Sequence, residues 1–316
     1  MPTLQMMKKQ LQQLIFIIIL LTSLPVVSAD KALIIGVDAY ENGLIPLMGV
    51  TKDIKMMQQV AQIMGFESSQ TTLLTNQDAT LSGVRQAMAQ LVDSTGANDR
   101  VLIYFSGHGS QILDLNQDED DGADEVLLLS NSQVNRQGSE NTLTNVLVDD
   151  EFQQMLTAFA SRQVIAIIDT CHSGTIHKAL TLNPLAKQTQ QKLFRYKGMP
   201  TGQKQYTRKG NLFANLRAKK HHDYEQAKNP ETQHYAVISA AHDDEPAIST
   251  EQGGLFTRGI LKVMQQHQES GQALNLKQLQ IKVSEYIKQT VQQENLPINH
   301  SPQIHGNARL IQQALW

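Results

Sequence analysis

Two short apolar runs, each cut off by a polar, glycine-rich turn, constrain this chain more than anything else in it. Arg100 to Phe105 (RVLIYF) runs into Ser106, Gly107, His108 and Gly109, and Val164 to Ile168 (VIAII) runs into Asp169, Cys171, His172, Ser173 and Gly174. Unbroken apolar runs of this length read as strands covered on both faces, the kind found in parallel sheets flanked by helices. Open sheets of that type keep their binding crevice at the carboxyl ends of the strands, which is where both polar tails fall.

Cys171 is the only cysteine, so no disulfide forms within one molecule. Taken alone, a buried cysteine is most often a small core hydrophobe. The second strand changes its meaning, because two such strands side by side bring His108 to the thiol. An imidazole stabilises the thiolate, lowering its pKa from ~8.5 into the range ~3.5 to 7.5. Gly107 and Gly109 leave the imidazole unshielded and leave backbone N–H groups for a developing oxyanion.

Around these runs the chain alternates. Ala32 to Val37 (ALIIGV) reads as a first central strand, Asp53 to Met64 as a helix with Ile54, Met57, Val60, Ala61 and Met64 on one stripe, and Thr71 to Leu74 as a strand. Ala79 to Val92 reads as a second amphipathic helix, His234 to Ala240 as a strand, and Leu276 to Gln292 as a late helix. Strand and helix in turn predict a three-layer α/β/α sandwich on a mostly parallel, roughly six-stranded sheet.

The pair YFSGHG and DTCHSG resembles the caspase-like cysteine peptidases of clan CD (peptidase C14), and within them the metacaspases and bacterial orthocaspases. KALIIGVDAY, LMGVTKD, VISAAHDDEPA and GLFTRGIL extend the resemblance over most of the chain, whereas the QACxG-type motif of caspases proper is missing. The resemblance implies a Cys171–His108 dyad, with the N–H groups of Gly109 and Cys171 as oxyanion donors. It makes Asp53 and Asp169 the acidic floor of the S1 pocket, with cleavage after Arg or Lys. On spacing alone Asp53 reads equally well as a helix cap. Val50 stands where many metacaspases have a cysteine, a departure that bears on the pocket's shape. The resemblance also implies a monomer.

The acidic loop from Asp114 to Glu125 nearly fits an EF-hand calcium loop, except that Glu119 replaces the glycine of the sharp turn. Metacaspases bind an activating calcium elsewhere, through an aspartate pair at a helix start and one aspartate seven residues past the nucleophile. The pair is here as Asp149 and Asp150, and the third position is Lys178, whose charge opposes a cation. Asp149, Asp150 and Asp124 are thus the candidate metal ligands, with helix capping the plain alternative for the pair. No cofactor is required by the dyad itself, and calcium enters as an activator.

Lys8 and Lys9, the run Leu14 to Leu21 and the small residues of Val27-Ser28-Ala29 make residues 1–29 an expected signal peptide, with an uncleaved N-terminal anchor the alternative, leaving 30–316 as an exported domain, periplasmic or secreted. A net charge of −3 gives no argument for nucleic acid or a membrane surface. Residues 178–234 form a basic insertion, read as mobile, in which no carboxylate interrupts the lysines and arginines between Lys178 and Lys220. Two rival functions stay open: a catalytically silent caspase-like binding domain, and a calcium-binding exported structural protein.

If the S1 pocket selects basic residues, the linker is the chain's own best substrate. Active protein on a denaturing gel is expected as a larger N-terminal and a smaller C-terminal fragment, with Cys171→Ala uncut. The same band pattern from both proteins would rule self-processing out.

Overall fold

The computed structural model describes residues 30–41, 44–113, 123–137, 140–159, 163–170, 189–191, 234–242, 245–296 and 300–316. In chain order the elements are β1 (Lys31–Gly36), α1 (Val50–Ile63), β2 (Thr71–Thr75), α2 (Leu81–Ser94), β3 (Arg100–Ser106), β4 (Gly109–Leu113), β5 (Ala123–Gln137), β6 (Glu140–Val148) and α3 (Asp149–Thr157). They continue with β7 (Gln163–Asp169), β8 (Thr189–Gln191), β9 (Tyr235–Ser239), β10 (Ile248–Thr250), β11 (Gly253–Gly254), α4 (Leu255–Ser270), α5 (Leu276–Gln293), β12 (Gln303–Gly306) and α6 (Ala308–Gln312). The expected signal peptide lies outside the described residues, as does all of the basic insertion except Thr189–Gln191 and His234.

Six strands form the main sheet in the order β12-β9-β7-β3-β1-β2. All its pairs are parallel except β12 on β9, so the expected sandwich on a mostly parallel sheet is what the chain builds. Alternation along the strands divides the core in two. Ile34, Leu102, Tyr104, Ile167 and Ile238 meet α1, α4 and α5 on one face, while Leu33, Ile103, Phe105, Ala166 and Ile168 meet α2 and α3 on the other. The central strands β1, β3 and β7 are therefore apolar on both faces, and the two-residue period decides which helix layer a side chain meets.

Three departures from the sequence reading have physical causes. Helix α1 begins at Val50 rather than Asp53, because Gly49 takes φ 87° as its N-cap and accepts the first helical bond from Asp53 N–H at 3.0 Å. Asp53 therefore sits in the first turn with its side chain free of capping duty. The polar tail around SPQIHG supplies β12, which joins the sheet as an antiparallel edge and closes the outer side of β9. Part of the insertion read as mobile forms β8, paired antiparallel with β10.

At the amino ends of the strands Arg100 ties distant parts of the chain together. Its Nε donates to Asp30 Oδ2 at 2.8 Å, Nη1 to Leu315 O at 2.9 Å and Nη2 to Met64 O at 2.8 Å. The carboxyl ends are left for the site. There the start of α1 is pinned at Gly49, where an added Cβ would meet Thr250 O at 2.2 Å and Gly253 Cα at 2.9 Å. Gly49→Ala combines that overlap with a positive φ and is expected to cost about 2 kcal/mol or more in urea denaturation. A loss below about 0.5 kcal/mol would mean that α1 is not held against the β10–β11 turn.

Candidate active site

Parallel pairing of β3 with β7 sets Ser106 opposite Asp169. His108 follows Ser106 by two residues and Cys171 follows Asp169 by two, so both chains leave the sheet at one rim. Cys171 itself, and with it half of the expected oxyanion pair, lies outside the described residues. Gly109, the other half, opens β4 and is buried.

The imidazole of His108 is held by neighbours that the sequence reading passed over. Its Nε2 lies 2.9 Å from Ile45 O, and since a carbonyl only accepts, the proton sits on Nε2 and Nδ1 is the basic nitrogen. Ile45 offers that carbonyl because buried Leu44 and Leu47 anchor the loop on either side, leaving the Ile45 side chain 60% exposed. Tyr40 completes the support: its ring lies 5.1 Å from the imidazole, its hydroxyl accepts from His108 N–H at 2.7 Å, and it donates to Val37 O at 3.1 Å. Burial pushes the Tyr40 phenol far above its ordinary range, so it stays a donor. Its position in the KALIIGVDAY run was the available signal.

The two predicted S1 carboxylates meet on a single face of the sheet. Tyr104 and Ser106 are two apart on β3, Ile167 and Asp169 two apart on β7, and alternation turns all four towards α1 and α4. Asp53 accepts from Ser106 Oγ at 2.8 Å through Oδ2 and from Gly254 N–H at 2.7 Å through Oδ1. Asp169 Oδ2 accepts from Thr257 Oγ1 at 2.5 Å, and that hydroxyl is 2.6 Å from Tyr104 OH. With its one proton given to Asp169, Thr257 accepts from Tyr104. Burial raises the Tyr104 phenol well above its usual value, with the charges of Asp53 and Asp169 adding to it. Both carboxylates are fully buried. Ser106, read from sequence as a turn-shaping residue, is thus a ligand of the acid, and Thr257 was concealed in the GLFTRGIL run.

The candidate metal residues gather at a different place. β4 and β5 form an antiparallel hairpin pairing Gln111 with Glu125 and Ile112 with Asp124, so strands flank the acidic loop and the EF-hand alternative, which needs helices, does not apply. Residues 114–122 of that loop lie outside the described residues. Asp149 and Asp150 stand in the first turn of α3 behind the N-cap Val148, and the Asp150 backbone N–H reaches the Asp149 carboxylate, as a helix-start role for the pair requires. Asp149 Oδ1 is buried and accepts no hydrogen bond. Among the described residues, no three candidate side chains are arranged as a metal-ligand set. The carboxylates are near enough to repel: burial, followed by the charges of Glu125, Asp150 and Asp124, pushes the Asp149 carboxyl up to about 8.

A family model described as the caspase domain matches residues 29–308. Metacaspase-3 of Arabidopsis thaliana is 34% identical over 155 residues, 46% of this chain and 40% of that protein. Metacaspase-1 of Schizosaccharomyces pombe is 33% identical over 153 residues, 46% of this chain and 34% of that protein. The matched region therefore spans less than half the length of these relatives. Among solved structures, a Geobacter sulfurreducens protein superposes with a TM-score of 0.59 at 20% identity, covering 90% of this chain and 97% of that one. Caspase-1 of Spodoptera frugiperda superposes with a TM-score of 0.52 at 11% identity, covering 91% and 88%. At these identities the superpositions speak to the fold.

The raised Asp149 pKa makes stability depend on pH. Between about pH 4 and pH 8 the folded chain holds a proton that the unfolded chain has released. The stabilisation is full below the unfolded value and is lost as pH rises through about 8, at no more than about 1.4 kcal/mol per pH unit. Without divalent cations, Asp149→Asn is expected to lose less melting temperature than wild type between pH 5 and pH 9. Parallel curves for the two proteins would contradict a buried, repelled carboxylate.

Proposed function

The chain belongs to the caspase-domain family of peptidases, and we propose that it is a cysteine endopeptidase of the metacaspase type, cutting peptide bonds after Arg or Lys and processing itself in the basic linker. The observation that supports this reading is the Ser106–Asp169 register beside a buried pair of carboxylates, since in sequence His108 follows one of those strand ends by two residues and Cys171 the other. Nδ1 of His108 takes the thiol proton, the Cys171 thiolate attacks the substrate carbonyl, and the same nitrogen returns the proton to the leaving amine. Backbone N–H groups of Gly109 and Cys171 receive the oxyanion. Ile45 O and Tyr40 hold the ring through both transfers without exchanging protons themselves.

Selection of a basic side chain follows from charge. Asp53 and Asp169 are oriented by Ser106, Gly254 and Thr257, donors that hold a carboxylate in place and leave its charge uncancelled. A guanidinium or ammonium entering between them cancels it, whereas a substrate aspartate would bring a third negative charge. Calcium is read as an activator: bound at Asp149, Asp150 and Asp124, it would relieve the repulsion that raises Asp149, while the dyad's chemistry needs no metal. The expected signal segment makes the enzyme an exported one, acting as a monomer. Among the described residues no helix is long and apolar enough to cross a membrane.

The deciding assay follows hydrolysis of a fluorogenic Arg peptide and a matched Asp peptide, with and without calcium. Wild type is expected to cut the Arg peptide, Cys171→Ala and His108→Ala to lose about 10³-fold or more, and Asp53→Asn to lose about 10²-fold in kcat/KM. Turnover of neither peptide would favour a silent binding domain. Preference for the Asp peptide would remove Asp53 and Asp169 from substrate recognition.

A further inference from the structure

Next to the two buried carboxylates lies a third buried polar group, the Tyr104 phenol. Tyr104 stands on β3 two residues farther from the rim than Ser106, on the same face, and is fully buried. Its hydroxyl is 2.6 Å from Thr257 Oγ1, which in turn donates to Asp169 Oδ2 at 2.5 Å. A phenylalanine would fill the same space with no polar atom to satisfy, so packing alone does not account for the hydroxyl.

The first turn of α4 reaches both acids. Gly254, its N-cap, donates its N–H to Asp53 Oδ1 at 2.7 Å, and Thr257, three residues on, donates to Asp169. The two contacts differ in firmness. The Gly254 N–H is held by the backbone, and the β10–β11 turn lies so close that a Cβ on Gly253 would come within 2.6 Å of Asp53 Oδ1. The Thr257 hydroxyl, by contrast, turns about a single bond. A helical threonine is drawn to donate to a carbonyl one turn back, here Gly254 O, and in that state Asp169 would lose this donor. Tyr104 decides between the two. Burial first, then the charges of Asp53 and Asp169, raise the phenol well above its usual value, so it keeps its proton and meets Thr257 Oγ1 as a donor. A hydroxyl that accepts from Tyr104 has its own proton left for Asp169.

We propose, resting on the peptidase reading above, that Tyr104 is a positioning residue for substrate selection: its phenol locks Thr257 onto Asp169, so that Asp169 and Asp53 face a substrate guanidinium as a fixed pair. Tyr104 touches no substrate itself and acts through Thr257. Its loss therefore shows in the binding of the cation and not in the rate of bond cleavage.

Hydrolysis of the fluorogenic Arg peptide by the full chain tests this. Tyr104→Phe is expected to raise KM about tenfold with kcat within about twofold of wild type, the scale of one hydrogen bond to a charged group. A merely destabilised fold would lower kcat through the folded fraction and leave KM where it was. Unchanged KM, or a loss confined to kcat, overturns the proposal and leaves the peptidase reading intact. Thr257→Val is expected to show the same split, and Thr257→Ser, which keeps the hydroxyl, to recover most of the loss; no recovery overturns the role of the hydroxyl. The double variant Tyr104→Phe/Thr257→Val is expected to lose no more than Thr257→Val alone, and losses that multiply overturn the route through Thr257. Agmatine, a guanidinium without a peptide bond, reads the pocket without catalysis. Titration calorimetry is expected to give a dissociation constant about tenfold weaker for Tyr104→Phe than for wild type. Equal constants overturn the proposal even in an active enzyme. Weaker agmatine binding by the variant, in a protein that cuts no peptide, counts against the peptidase reading and leaves the positioning role standing.

Discussion

The parallel ladder between β3 and β7 is the constraint on which the site depends. Its register fixes Ser106 opposite Asp169, and the two-residue period of a strand then settles which side chains share a face. A slip of one residue would turn Tyr104, Ser106 and Asp169 towards α2 and α3, away from Asp53 and Thr257. The ladder resists that slip because both faces are buried. Ile103 and Phe105 fit one core and Leu102 and Tyr104 the other, so a shift would misplace apolar groups on two sides at once. The same packing that stabilises the sheet therefore aligns its chemistry.

Charge has been set into this scaffold at two places with opposite treatment. At the carboxyl rim, buried Asp53 and Asp169 are met by hydroxyls and a backbone N–H from α4, β3 and β11, so three separate elements share the cost of burying them. At the head of α3, Asp149 has Glu125, Asp150 and Asp124 for neighbours, and its carboxyl is driven upward. The first arrangement meets its carboxylates with fixed donors. The second leaves a buried carboxyl among like charges.

Much of this was legible in the chain, because apolar runs and their polar ends are local features. RVLIYF and VIAII gave the central strands, the break after RVLIYF gave the exit of the chain towards His108, and alternating helices gave the three layers. Other features depended on partners far along the sequence. Nothing near Ile45 says that its carbonyl will meet an imidazole, and nothing in GLFTRGIL says that Thr257 will join Tyr104 to Asp169. The start of α1 lies earlier than the sequence indicates because Gly49 caps it at a positive φ, a position where the approach of Thr250 and Gly253 from far along the chain leaves no room for a Cβ. β12 and β8 escaped for a related reason: short polar segments become strands when an edge is available to pair with, and edges are not visible in one dimension.

The small outer sheet joins stretches far apart in the chain. β8 belongs to the same polymer as β10, so the two strands meet at an effective concentration set by the intervening residues and not by the surroundings. Their pairing is therefore indifferent to how dilute the protein is.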